Sequence, residues 1–79
     1  MFTVIVSKID TTGSEWKRIE DVERGSHSDY SIAEAHRFTI VGEYRIRGWK
    51  FDYIEAINAF VSENRDGKII VIGIRDPLK

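Results

Sequence analysis

The segment RFTIVGEYRIRGWKF, residues 37–51, is the stretch on which the fold of this chain depends. Every second residue from Phe38 to Ile46 is apolar or glycine, and three arginines stand between or just beyond them. An alternation with period two is typical of a β-strand that is buried on one side. The pattern therefore predicts a long strand over residues 37–47, with one apolar face and one basic face.

Gly42 leaves a second interpretation of this stretch open. A hairpin folded at residues 42–43 is possible, because glycine suits the first central position of a type II′ turn. That hairpin would place Phe38 and Ile40 on the same face as Arg45 and Arg47, which mixes apolar with charged side chains. We therefore prefer a single strand that bends at Gly42.

The segment that follows, residues 52–64, has a helical pattern. Asp52 is a candidate N-cap, and Glu55 stands three residues later, at the capping-box spacing. One arc of the helical wheel collects the apolar side chains of Tyr53, Ile54, Ala56, Ile57, Phe60 and Val61. We predict an amphipathic helix over 52–64 that packs on a core. The last run, KIIVIGIR (68–75), is apolar on both faces and predicts a central strand.

At the other end of the chain, Phe2–Asp10 is rich in β-branched residues and predicts a strand inside a sheet. Residues 14–24 leave two interpretations open. Trp16, Ile19 and Val22 recur every three residues, which favours a short charged helix. The alternative is the second strand of a hairpin closed at DTTG (10–13). Residues 25–31 predict a loop, and Ser31 with Glu34 indicates a helical turn over 32–36.

These elements define an α+β fold. A chain of 79 residues predicts a single domain, 1–79. We expect a small, mostly antiparallel sheet of three to four strands, with one main amphipathic helix (52–64) packed on one face.

Composition excludes several classes of protein. There is no cysteine, so neither a disulfide framework nor a thiol nucleophile is available. No apolar run approaches the roughly 18 residues of a membrane helix, and the N-terminal segment lacks the basic start of a signal peptide. We therefore expect a cytoplasmic protein that does not associate with a membrane. The net charge is −1, without the broad basic character of a dedicated DNA-binding domain.

Catalytic motifs give no positive signal. His27 lies beside Ser26, Ser28 and Asp29, but neighbours within one loop rarely reach the geometry of a catalytic triad. His27 and His36 with nearby carboxylates follow no recognised metal-ligand spacing. The carboxylates of residues 15–23 alternate with cations, as on a solvated surface of ion pairs. The glycines form no phosphate-binding motif. We predict a protein without enzymatic activity, metal or cofactor.

The basic face of the opening stretch remains as the candidate site. Residues 36–51 contain four cations against one anion, Glu43. The candidate partner-binding residues are Arg37, Arg45, Arg47, Trp49 and Lys50. Arginine and tryptophan are enriched in protein interfaces, which predicts a protein partner. The same side chains also grip phosphates and stack on bases, so single-stranded nucleic acid is the alternative partner.

The expected function is a non-catalytic protein–protein binding module, such as a small inhibitor or regulator that occupies a partner's surface. Small phage-encoded inhibitors of host machinery have this general profile, although no motif ties the chain to them. A small open sheet also has unpaired edges, so a homodimer through a sheet edge is a further expectation.

Overall fold

The computed structural model describes residues 1–76 and contains five strands, one long helix and one short 3₁₀ turn. The strands are β1 (Phe2–Asp10), β2 (Lys17–His27), β3 (Phe51–Ile54), β4 (Ala59–Ser62) and β5 (Lys68–Arg75). The helix α1 spans Tyr30–Ile46, and the 3₁₀ turn spans Glu55–Ile57. The fold is α+β, as the sequence predicts, but the sheet has five strands rather than three to four.

The five strands form one sheet in the order β2-β1-β5-β4-β3, and every neighbouring pair is antiparallel. The prediction of a central strand over 68–75 is confirmed, because β5 is the third of the five. The strand predicted at Phe2–Asp10 is confirmed as β1, which lies inside the sheet between β2 and β5. Both strands have apolar side chains on two faces, and neither lies at an edge of the sheet.

The ambiguous segment is the second strand of a hairpin. β2 pairs with β1 over its whole length, with Val6 opposite Val22 and Lys8 opposite Glu20. The helical interpretation of 14–24 is therefore wrong. The three apolar residues do not mark a helix face, because Trp16 lies outside β2 and Ile19 has no partner residue in the ladder, which is shifted between Val4/Ile5 and between Lys8/Ile9. Each such bulge adds one residue to β2 and displaces the alternation.

The predicted strand over 37–47 is wrong, because residues 37–46 belong to α1 and Arg47 is its C-cap. The helix begins after Asp29, whose side chain accepts hydrogen bonds from the N–H and the hydroxyl of Ser31 at 2.8 and 2.7 Å. These two bonds lower the pKa of Asp29 below its ordinary value. The helical turn predicted over 32–36 is confirmed, and α1 continues from it. The buried residues of α1 follow helical spacing and are Ala33, Arg37, Ile40 and Val41.

The helix predicted over 52–64 is also wrong. β3 and β4 form a hairpin in which Tyr53 lies opposite Phe60 and Ile54 opposite Ala59. The 3₁₀ turn joins them and ends at Asn58, which adopts the left-handed conformation with φ 49°. β4 pairs in turn with β5, so the hairpin extends the sheet.

The core lies between α1 and one face of the sheet. Ile40 and Val41 of the helix, together with Ala33, cluster with alternate residues of β1 and β5. Those strand residues are Val4, Val6, Ile70 and Ile72, and Phe51 of β3 closes the cluster. Within residues 1–76, neither helical segment has the length and apolarity that crossing a bilayer requires.

Candidate functional site

The helix separates the five predicted site residues into two groups. Arg37 and Arg45 are eight residues apart on α1, which places them about 12 Å apart along the helix axis. Arg37 is only 3% exposed, whereas Arg45, Arg47 and Lys50 are exposed. No single strand face presents all five side chains to a partner.

Arg37 anchors the β3–β4 turn to the helix. Its Nη1 donates to the backbone oxygen of Asn58 at 2.8 Å, and both Nη atoms reach the Oδ1 of Asn58 at 3.3 and 3.4 Å. The guanidinium carbon lies 5.6 Å from the ring centre of Tyr53 and 5.3 Å from that of Phe60. Within residues 1–76 no carboxylate forms an ion pair with Arg37. Amide oxygens and aromatic faces therefore stabilise this buried charge.

The other group gathers where α1 ends. The N–H of Trp49 donates to the carbonyl of Tyr44 at 3.1 Å, and the N–H of Gly48 donates to the carbonyl of Arg45 at 3.0 Å. These two bonds, with Gly48 at φ 92°, form a Schellman motif. The motif turns the chain sharply from the helix towards β3. As a result, Arg45, Arg47 and Lys50 lie around one corner of the molecule.

Trp49 is half-buried and packs against the core at this corner. Its ring meets Tyr44 edge to face at 6.4 Å between centroids. The guanidinium carbon of Arg65 lies 5.0 Å from the ring centre of Trp49, within cation–π range. The Nη1 of Arg65 also donates to the backbone oxygen of Arg47 at 3.3 Å.

Arg65 is thus a member of the site that sequence reasoning missed. It lies in the connection between β4 and β5, outside every periodic pattern that the sequence analysis used. Only the sheet brings this connection next to the end of α1, because β4 lies beside β3. No local sequence signal could have found it.

We name this surface the basic corner and define it by Arg45, Ile46, Arg47, Trp49, Lys50 and Arg65. In the part of the chain that the structure describes, the four ion pairs are Lys8–Glu20, Arg18–Asp21, Arg24–Glu43 and Arg75–Glu23. None of the cations of the basic corner takes part in them. One anion lies close by, since the Oε1 of Glu63 accepts from the N–H of Lys50 at 3.3 Å.

Ile46 adds an apolar side chain to the charged ones. It is 89% exposed, more than any other large hydrophobic residue that the structure describes. The basic corner therefore combines cations that form no ion pair with an exposed aliphatic side chain, and arginine is enriched in protein interfaces.

The residues considered for catalysis or metal binding have structural partners. The Nε2 of His27 and the Nδ1 of His36 are 2.9 Å apart, so one imidazole donates a hydrogen bond to the other. The hydroxyls of Ser26 and Thr3 are 2.8 Å apart, and Asp29 caps α1. Among residues 1–76, no three potential ligands of the His, Asp or Glu type converge on a common metal position.

Comparison with protein-family models, curated proteins and solved structures finds no significant match to this chain.

Proposed function

We propose that this chain is a non-catalytic protein-binding module whose basic corner binds an acidic patch on a partner protein. One observation carries the proposal, namely that the basic corner combines four cations without ion-pair partners with an almost fully exposed isoleucine, Ile46. Those cations are Arg45, Arg47, Lys50 and Arg65. Complementary charge favours an acidic partner, since it speeds encounter and rejects basic surfaces.

The partner's chemistry follows from the corner as a whole. We expect the partner to contact Ile46 with an apolar residue that lies among the partner's carboxylates. An exposed aliphatic side chain gains free energy only when it leaves water. Arg47 lies with its guanidinium carbon 5.5 Å from the ring centre of Tyr44, which limits its freedom before binding. A side chain that is already ordered loses less entropy when the complex forms.

Single-stranded nucleic acid is less well supported as a ligand. Base stacking requires a free aromatic face, but Trp49 already meets Arg65 and Tyr44. Four cations also give a modest electrostatic anchor, because counterion release scales with the number of phosphates that are neutralised. Ile46 would face solvent or a sugar–phosphate backbone, where an aliphatic side chain contributes little.

In this proposal Arg37 stabilises the fold from the interior and does not contact the partner, because it is 3% exposed. The module would act as a small regulator or inhibitor by occupying the acidic surface of its partner. The lack of cysteine is compatible with a reducing compartment, and we place the module in the cytoplasm as part of the same proposal.

The test begins with capture of partners from lysate of the source cell, with and without nuclease. A protein that the wild type retains after nuclease treatment is then purified, and its binding is measured by calorimetry. We expect the Arg45→Glu/Arg47→Glu double variant to weaken that binding at least about tenfold, equivalent to about 1.4 kcal/mol. The Ile46→Ser variant should also weaken binding while leaving thermal stability unchanged, since exposed positions contribute little to folding.

Matched variants elsewhere on the surface serve as controls. The Lys17→Glu/Arg18→Glu double variant changes the net charge by the same amount, and Ile19→Ser removes an exposed aliphatic side chain from β2. Both should bind the partner as the wild type does. Equal losses in the control and corner variants would overturn the basic corner as the contact surface. A ligand that disappears with nuclease treatment would identify nucleic acid as the partner instead.

A further inference from the structure

Arg37 has a buried charge whose hydrogen-bond donors are only partly used. A guanidinium has five N–H donors, and within residues 1–76 the hydrogen bonds of Arg37 all go to Asn58. The bond to the backbone oxygen is 2.8 Å long, whereas the two to Oδ1, at 3.3 and 3.4 Å, are longer than usual. That Oδ1 also accepts from the hydroxyl of Tyr53 at 2.7 Å. One hydrogen bond of ordinary length therefore holds this charge.

The Nε of Arg37 is buried and has no hydrogen-bond partner among the described residues. It is the one buried side-chain nitrogen or oxygen in residues 1–76 of which this is true. A donor on a charged group that is left without an acceptor in the interior costs free energy, and such a group in a folded protein needs an explanation. A ligand that accepts a hydrogen bond from Nε would provide one.

Arg37 lines a cavity of about 340 Å³ between α1 and the β3–β4 hairpin. The other walls are three aromatic rings and one carboxylate, from Phe38, Tyr53, Phe60 and Glu34. The rings of Tyr53 and Phe60 are 5.2 Å apart, and both lie within cation–π range of the guanidinium. Small-molecule sites measure about 300–1,000 Å³, so this cavity has room for a small ligand.

The chemistry of the walls selects a carboxylate with a flat apolar body. The Nε–H and an N–H of the neighbouring Nη are parallel donors, and a planar carboxylate accepts from both at once. Aromatic walls favour an aromatic ring, which packs against them edge to face or offset. Glu34 disfavours a dianion such as a phosphate monoester, because its carboxylate repels each additional negative charge.

Phe38 gives such a ligand access to the buried edge of Arg37. Its side chain is 60% exposed and meets Phe60 edge to face at 6.3 Å between ring centroids. An exposed side chain changes rotamer within nanoseconds. The ring can therefore turn aside while the core packing stays intact.

We infer that this cavity binds a small aromatic monocarboxylate. The carboxylate accepts from the Nε edge of Arg37, which neutralises the buried charge, and the aromatic ring packs among Phe38, Tyr53 and Phe60. Arg45 lies about 12 Å further along α1, so the cavity is separate from the basic corner.

NMR titration of the whole chain with benzoate at pH 7 tests the inference, with benzamide as the uncharged probe of the same shape. The Nε–H signal of Arg37 should move downfield with benzoate, and the dissociation constant should be about 1 mM or lower. Benzamide should bind at least about tenfold more weakly, since it lacks the charge. An Nε–H signal that stays in place up to about 10 mM benzoate would overturn the inference.

Variants of the cavity give a second readout. Glu34→Gln removes the repelling carboxylate and should tighten benzoate binding about threefold. Glu34 is exposed, so this variant is expected to fold normally. The control is Glu15→Gln, which changes the net charge by the same amount on an exposed loop and should leave the affinity unchanged. Equal affinities in the two variants would contradict the proposed site.

Arg37→Lys keeps the charge but removes the parallel donors, and should weaken benzoate binding at least about tenfold. Circular dichroism checks its fold, and Glu34→Gln decides the question if this variant unfolds. The Arg45→Glu/Arg47→Glu variant should bind benzoate as the wild type does, so the result is independent of the proposed function. Benzoate-dependent shifts confined to Arg45, Arg47 and Lys50 would assign the probe to the basic corner and overturn the cavity site.

Discussion

At the scale of single residues, Asn58 links three parts of the molecule. Its Nδ2 donates to the hydroxyl of Tyr30 at 2.7 Å, and its Oδ1 accepts from the hydroxyl of Tyr53 at 2.7 Å. Its oxygen atoms also accept from Arg37. Asparagine tolerates the left-handed conformation, which this turn requires, better than most residues with a side chain. One residue thus connects the start of α1, the buried arginine and the β3–β4 hairpin.

We expect Asn58→Gly to lower the free energy of unfolding by roughly 1–3 kcal/mol, because it leaves partly buried polar groups without partners. The variant Asn58→Ala should lower it by about 1 kcal/mol more, since alanine is strained where φ is positive and glycine is not. Urea denaturation measures both values.

Asn64 provides the control for this prediction. It accepts a hydrogen bond from the Thr11 hydroxyl at 2.9 Å, but it is exposed and makes no comparable network. The variant Asn64→Ala should therefore change stability by less than about 0.5 kcal/mol. Similar losses at positions 58 and 64 would argue against the linking role of Asn58.

At the scale of elements, residues 37–46 show how two periodicities coexist in one segment. The apolar residues at every second position, including Phe38 and Ile46, suggested a strand. In α1 these two are 60% and 89% exposed, so they do not define a buried face. The face that is buried combines Ile40 and Val41 with Arg37, and the charge of this arginine obscured the helical pattern.

The effect of Gly42→Ala on stability tests whether residues 37–46 form a helix. Gly42 lies inside α1, and the position that a Cβ would occupy has no atom within 4 Å. Alanine should therefore raise the free energy of unfolding by about 0.5–1 kcal/mol, the difference between the two residues in a helix interior. Thermal and urea denaturation would measure the change.

The substitution Gly67→Ala serves as the control for Gly42→Ala. Gly67 lies in the turn before β5 with φ 75°, and a Cβ there would collide with the side chain of Thr12. The variant Gly67→Ala should destabilise the protein. A loss of stability on Gly42→Ala would contradict the placement of this glycine in an unobstructed helix.

The segment over 52–64 gives the opposite error, because it was predicted as a helix and forms a hairpin. Its residues satisfy a helical wheel, yet the same sequence places Tyr53 opposite Phe60 when it folds back as a hairpin. Their rings lie 5.2 Å apart, which stabilises the pair of strands. A hairpin also provides β5 with a partner on its free side, which a helix could not do.

At the scale of the whole molecule, stability is expected to decrease from the centre of the sheet to its edges. β1 and β5 are paired on both sides and contribute Val4, Val6, Ile70 and Ile72 to the core. Backbone hydrogen bonds in such strands break only when the whole domain unfolds, whereas edge strands open locally.

Native-state amide hydrogen exchange should therefore be slowest at the paired amides of β1 and β5. It should be fastest along the outward side of β2, where the described residues provide no neighbouring strand. Outward β2 amides that exchange as slowly as those of β5 would contradict this gradient and indicate a partner on that edge.

The sequence by itself determined β1 and β5, two of the three interior strands, and the α+β class. β1 and β5 are rich in β-branched residues and apolar on both sides, and such a composition leaves few alternatives in a small domain. The proximity of Arg45, Arg47, Trp49 and Lys50 could also be foreseen, because these residues are neighbours along the chain in any fold, although the helix end that carries them was predicted as a strand.

Only the tertiary structure decided the elements at residues 37–46 and 52–62. Each of these segments satisfies both a helical and an extended pattern, so local preference does not separate the two. The choice depends on contacts between residues distant in sequence, such as Arg37 with Asn58 and β4 with β5. For the same reason, the sequence did not predict that Arg65 belongs to the basic corner. Packing free energy is a property of the assembled sheet and helix, and no short window of sequence contains it.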